Sequence, residues 1–190
     1  MQHVVLTRFN NGIYDRPDAE EWMERRIELF KATKESVLSQ NVPFSWWLSF
    51  DINTPLEVIN ELCVFPIMYP MNEDIRTFQP EGWVLSTRLD NDDILLPNAL
   101  EEIQTAARMF KGREMVIDIG YEKVVKATGE KIPSDRPRPN SPFLSLLSNK
   151  SNCYCRPHTV MPDVYPSYKV DKVLAQMVLH GGNAANTVRS

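Results

Sequence analysis

Between His3 and Ala127 the chain alternates short runs rich in β-branched residues with longer stretches of helical periodicity, and this alternation restricts it to an α/β fold. The first run, His3 to Phe9, ends at the turn signal Asn10-Asn11-Gly12 and reads as a buried strand. Beyond it Asp18 stands as an N-cap with Glu21 three residues on, and Met23, Ile27, Phe30 and Val37 fall on one helical face with Trp22 and Leu38 beside it. Phe44 to Phe50 is a second strand, ending at Asp51. Thr54-Pro55-Leu56-Glu57 then opens a helix, with a capping-box spacing and Pro at its first position, that runs to about Cys63. Ile67 to Tyr69, held between Pro66 and Pro70, and Trp83 to Leu89 are the next strands. Pro97 opens a helix whose Leu100, Ile103, Ala107 and Phe110 share a face, and Gly112 closes it. Met115 to Ile119 and Val124 to Ala127 read as two further strands that would pair as a hairpin. The order predicts a mostly parallel sheet flanked by helices, with functional groups at the carboxyl ends of the strands.

From Thr128 to about Tyr168 the sequence turns to Pro, Ser and Asn, with a charged stretch at Lys131 to Arg138, and reads as loop-rich. Such a segment is either a solvated linker or a lid over a site. Val170 to Leu179 forms one more helix or strand before His180-Gly181-Gly182-Asn183. A length of 190 residues suits one domain, with residues 1–127 as its regular part and 128–190 as its loop-rich part.

Charge narrows the partners. Acidic residues outnumber basic ones by 25 to 21, which leaves no polycationic surface for a phosphate backbone and argues against nucleic acid. Cys63, Cys153 and Cys155 form no disulfide framework and fit a reducing compartment. The N-terminus has neither the basic start nor the apolar stretch of a signal peptide, and no apolar run is long enough to span a bilayer. These features predict a cytoplasmic protein and leave peripheral association with a membrane open.

The chemistry concentrates in Ser86-Thr87-Arg88-Leu89-Asp90-Asn91-Asp92-Asp93, where three carboxylates crowd the end of a strand. Close carboxylates repel, so the cluster needs a cation or hydrogen-bond donors to offset it. Mg²⁺ and Mn²⁺ take oxygen ligands and bridge to phosphates, which suits a nucleoside diphosphate. A polar turn leading into the next helix is the simpler alternative.

Taken together, these pieces resemble glycosyltransferases of the GT-A fold, a Rossmann-like architecture. The matching pieces are the first strand ending Thr7-Arg8-Phe9, the second ending at Asp51, and the DxD motif Asp90-Asn91-Asp92. Within that group the chain is similar to a bacterial rhamnosyltransferase-type family, through Val4 to Asn10, Thr87 to Asp93 and His180 to Asn183. The resemblance implies transfer of a sugar from a nucleotide-sugar donor to a hydroxyl of a glycan or other acceptor. It implies that Asp92 binds a divalent metal, Mn²⁺ or Mg²⁺, that Asp90 binds the metal or the ribose, and that His180 completes the metal sphere. Thr7, Arg8, Phe9 and Asp51 would then meet the nucleobase and ribose, Arg88 the diphosphate, and Asn91 and Asp93 would shape the site.

Each residue also has a plainer role. Arg8 can form a surface salt bridge, Asp51 can flank the following helix, Arg88 can be turned away by strand alternation, and His180 can belong to an exposed tail. His3 reads as a structural or surface histidine. Cys153, Cys155 and His158 lack the second ligand pair of a zinc site. Trp22, Trp46, Trp47 and Trp83 fall on predicted strands and helices and read as core. No carboxylate with a supporting motif offers itself as a general base, so inversion and retention both stay open. Two other classes fit the same features: a nucleotide-sugar binding module without transfer, and a nucleotidyltransferase. The latter is disfavoured because no Gly-rich phosphate loop follows the first strand.

Overall fold

Val4, Val5 and Leu6 are fully buried and form the interior of the first strand, β1 (Gln2–Arg8), in a computed structural model that describes residues 1–72, 74–134 and 141–180. Two strands join β1 in parallel: β2 (Ser45–Ser49) on one side and β4 (Val84–Arg88) on the other. β3 (Met68–Met71) adds in parallel to the outside of β2. This parallel block is the one the alternation predicts. Between its strands run α1 (Ala19–Leu38) and α2 (Leu56–Leu62), and after a two-residue strand β5 (Ile94–Leu95) comes α3 (Ala99–Arg108).

Past β4 the pairing becomes mixed. β8 (Leu144–Ser148) is antiparallel to both β4 and β6 (Met115–Val125). β6 runs parallel to the long last strand, β9 (Ser167–Leu179), and antiparallel to β7 (Lys131–Pro133); β5 closes the edge against β9. The strand order is β3-β2-β1-β4-β8-β6-β9-β5, with β7 off the path on β6, in one curled sheet.

Alternation along the strands sends side chains to two cores. Val5 and Leu85 pack with Met23, Phe30 and Val37 of α1 and Leu100, Ile103 and Ala107 of α3, while Val4, Leu6 and Val84 pack on the other face with Cys153, Tyr154 and Met161. Met161 opens the short helix α4 (Met161–Val164).

Several expectations need correction. Asp18 stands at the start of α1 but does not cap it, because its carboxylate is taken by Arg16 at 2.7 Å. Thr54 does not cap α2; its hydroxyl accepts from Asn10 Nδ2 at 2.9 Å. Met115 to Ala127 holds one continuous strand, and its hairpin partner is β7. The segment read as loop-rich supplies β8, a buried strand at the middle of the sheet. Its pattern Leu-Ser-Leu-Leu-Ser hid it, since the serines look polar but are buried against neighbours, Ser145 Oγ lying 2.6 Å from Thr87 Oγ1. Leu144 to Ser148 therefore belongs to no lid. Part of the charged stretch, residues 135–140, and the Gly181-Gly182-Asn183 ending lie outside the described residues. No helix among the described residues is long and apolar enough to cross a membrane.

Candidate functional site

Asp90 to Asp93 form a tight turn at the carboxyl end of β4, closed by the Asp93 amide donating to the Asp90 carbonyl at 3.3 Å. Within one turn the four side chains go to four environments. Asp90 is the most open, its Oδ1 3.5 Å from Arg88 and 3.4 Å from the Tyr154 hydroxyl, which donates to it. Asn91 points inward, donating to the Phe9 carbonyl and accepting from Arg26 Nη1 at 3.0 Å. Asp93 is buried and accepts the Val178 amide of β9 at 3.1 Å. Burial, then the charges of Asp92 and Asp90, push the Asp93 carboxyl well above its usual range.

Asp92 is the meeting point. Its Oδ2 lies 2.9 Å from His180 Nε2 and 2.5 Å from Arg26 Nη1, and its side chain is only 12% exposed. Residues from α1, the β4 turn and the end of β9 thus converge on one carboxylate oxygen. Asp92 and His180, 88 positions apart and expected to share a metal, are in direct side-chain contact. Asp90, expected beside them, is engaged by Arg88 and Tyr154 instead.

A carboxylate at the end of a strand suits a hard divalent ion, and an imidazole beside it favours Mn²⁺ over the harder Mg²⁺. Yet no group of three or more His, Cys, Asp or Glu side chains among the described residues stands in metal-holding geometry, and the cation that faces Asp92 is Arg26. The same finding leaves the cysteines and His158 without a zinc cluster among the described residues.

The other predicted contacts divide. Thr7 is buried and accepts from Trp46 Nε1 at 3.0 Å, while Phe9 is buried against Phe30 and Phe50, at 5.1 and 5.3 Å between ring centres. Their side chains are therefore spent on the core, because alternation turns both toward α1. Arg8 is exposed on the opposite face, within electrostatic reach of Tyr154. Arg88 shares that face: its guanidinium lies 4.8 Å over the Tyr154 ring, and its buried Nε has no hydrogen-bond partner. Burial, then the Asp90 charge, raises the Tyr154 hydroxyl well above its usual range and keeps it a donor. Asp51 holds the first loop in place, accepting from the Gly12 amide at 2.7 Å and the Asn53 amide at 2.9 Å. Trp46 is core as expected, whereas Trp83 is 36% exposed.

Arg26 and Tyr154 escaped the sequence reading. A signal for Arg26 was present, because it lies three residues after Met23 and four before Phe30, on the apolar stripe of α1, where a charge must find a partner. Tyr154 stood between two cysteines that drew attention to themselves.

No protein-family model matches the chain, and no curated protein matches it by sequence. Solved structures do. The fold is shared with S. aureus TarS. The structure of TarS 1–349 in complex with UDP-GlcNAc superposes with a TM-score of 0.57 at 13% identity, covering 96% of this chain and 60% of that one. The same TarS region in complex with UDP gives a TM-score of 0.56 at 12% identity, with 94% of this chain covered. The chain therefore spans about three-fifths of the length of the TarS 1–349 chain. The likeness bears out the GT-A-like α/β fold expected from the sequence.

Proposed function

We propose that the protein is a glycosyltransferase that moves a sugar, of hexosyl or rhamnosyl type, from a nucleotide-sugar donor to a hydroxyl of a glycan or other acceptor in the cytoplasm. The observation that carries this reading is the convergence of Asp92 of the DxD turn with His180 from the end of β9 at 2.9 Å, within a fold shared with a protein solved with UDP-GlcNAc and UDP. A divalent ion, Mn²⁺ or Mg²⁺, would be held by Asp92 and His180, and its contribution when bound is to offset the charge of the departing diphosphate.

The rest of the work falls to the chain. Arg88, braced on Tyr154 and carrying an unpartnered Nε, presents a cation to the diphosphate beside the half-exposed Asp90, which faces the ribose. Arg8 adds a second exposed cation on that face. Asn91 and Asp93 fix the turn by tying it to the end of β1 and to β9. Only a peripheral membrane contact through the acceptor fits this reading, and nucleic acid does not.

A second reading, binding of a nucleotide sugar without transfer, draws on the chain spanning 60% of TarS 1–349. One experiment separates them. UDP-, GDP- and dTDP-sugars are screened with Mn²⁺ by thermal shift and by release of nucleoside diphosphate. A donor at about 100 times its Kd stabilises the protein by about 2.7 kcal/mol, a rise of roughly 5–11 °C for a chain of this size. A shift with release supports transfer, and a shift without release supports the binding module. Silence from every donor sinks both.

A further inference from the structure

Arg26 stands where the acidic turn needs positive charge. It projects from the middle of α1 with its guanidinium 4.8 Å over the Trp22 ring, and Nη1 reaches Asp92 Oδ2 at 2.5 Å and Asn91 Oδ1 at 3.0 Å. Both members of the ion pair are 12% exposed, and His180 Nε2 meets the same carboxylate oxygen at 2.9 Å. We propose that Arg26 is the resident cation of this site: it holds the place of the divalent ion while the ion is absent and must give up Asp92 when the ion enters. The affinity for metal is then set by competition with this guanidinium. This rests on the reading of Asp92 and His180 as metal ligands.

The competition follows from geometry and charge. An ion bound to Asp92 Oδ2 would sit about 2.1 Å from that oxygen. A guanidinium nitrogen held 2.5 Å from the same oxygen is then no more than about 5 Å from the ion, in a site shielded from water. Like charges at that distance in a poorly solvated site disfavour joint occupancy. The stacking on Trp22 holds Arg26 independently of Asp92, whereas the Asn91 contact is made by the same Nη1 and would be given up with the ion pair. Conversely, with neither cation present Asp92 would keep only the His180 contact beside the Asp90 carboxylate, which is why the metal-free turn is more stable with an arginine than with an uncharged residue.

The test uses the full chain as wild type, Arg26→Lys and Arg26→Gln. Mn²⁺ binding is measured without nucleotide by titration calorimetry, alongside melting temperature in EDTA and in saturating Mn²⁺. Arg26→Gln should bind Mn²⁺ at least tenfold more tightly, melt lower in EDTA and regain more on adding Mn²⁺, while Arg26→Lys stays close to wild type. A folded Arg26→Gln that binds Mn²⁺ as wild type does, or more weakly, overturns the competition and leaves the metal reading intact. Absence of Mn²⁺ binding in every variant overturns the metal reading and the competition with it. Should Arg26→Gln fail to fold, arginine side-chain NMR of the wild type under Mg²⁺ titration decides: the Arg26 signal must move as the ion binds, and a still signal refutes the proposal.

Discussion

At the scale of residues, the buried His3 shows how a chain of hydrogen bonds fixes a protonation state. Arg108 Nη2 donates to Gln104 Oε1 at 3.3 Å, which turns the Gln104 amide nitrogen toward the Pro43 carbonyl at 3.0 Å and His3 Nδ1 at 3.2 Å. His3 Nδ1 is therefore the acceptor, and its Nε2–H donates to Thr87 Oγ1 at 2.7 Å, leaving the Thr87 hydroxyl to donate to Ser145. Burial lowers the imidazole from 6.5 to about 3, since a proton there would be charged and out of water. The sign follows: above pH 6.5 both folded and unfolded chains hold His3 neutral, and as pH falls toward 3 only the unfolded chain takes the proton. This group should thus cost the fold about 5 kcal/mol by pH 3. Urea denaturation from pH 7 to 4 should show a steeper loss of stability in wild type than in His3→Asn. Parallel curves would mean that His3 is not the titrating group. Asp93 acts with the opposite sign, because a carboxyl raised in the folded state gains stability as pH falls, so the variant difference is the measurement that isolates His3.

At the scale of elements, the β6–β9 pairing decides where the chain's last described residue lands. Its register slips around Gly120, from Ile119 opposite Val170 to Gly120 opposite Val173 and Tyr121 opposite Ala175. The extra residues in β9 bend it so that Ala175 and Gln176 meet β5 and Val178 reaches Asp93. Gly120 permits the bend because a Cβ there would lie 2.6 Å from the Lys172 carbonyl oxygen, a backbone atom that cannot step aside. Gly120→Ala should destabilise the protein by about 2–3 kcal/mol through this overlap and weaken Mn²⁺ binding by displacing His180. Gly112, at φ 79° with nothing within 4 Å of its would-be Cβ, is the control: alanine there meets only the left-handed backbone cost of about 1–2 kcal/mol and leaves the site alone. Chemical denaturation of both variants, with Mn²⁺ titration, checks this. An equal loss of metal binding in the two would detach the bulge from the site.

At the scale of the whole molecule, the site is one point shared by three distant stretches: Arg26 in the first helix, Asp90 to Asp93 in the middle and His180 at the end of the last strand. A site assembled this way should depend on the C-terminal stretch even though the acidic turn lies elsewhere. His180→Ala, or a chain ending at Leu179, should lower Mn²⁺ affinity by at least about 10- to 100-fold, the scale on which even a partner outside the metal's own ligands counts. Asp92 and Arg26 would still pair, so the fold should hold. Calorimetric titration of Mn²⁺ into both variants reads this out. Affinity unchanged from wild type would reduce His180 to a hydrogen-bond partner of Asp92.

The parallel block was legible in the sequence because its strands are continuous apolar runs buried on both faces and its helices carry a 3.6-residue stripe, both of which are local patterns. The acidic turn at the end of β4 was legible for a similar reason: carboxylates so close in sequence must be close in space. β8 was not, since its buried serines are satisfied only by partners on other strands, and neither was the unbroken length of β6, which is held by β9 rather than by its own residues. The roles of Thr7 and Phe9 were settled by which face of β1 meets α1. The Asp92–His180 pairing was implied by resemblance, but His180 follows a strand whose register slips at Gly120, and the cation that faces Asp92 is Arg26. Neither follows from local sequence, because a bend in one strand and a guanidinium on a distant helix meet the turn only through long-range packing, which no spacing along the chain encodes.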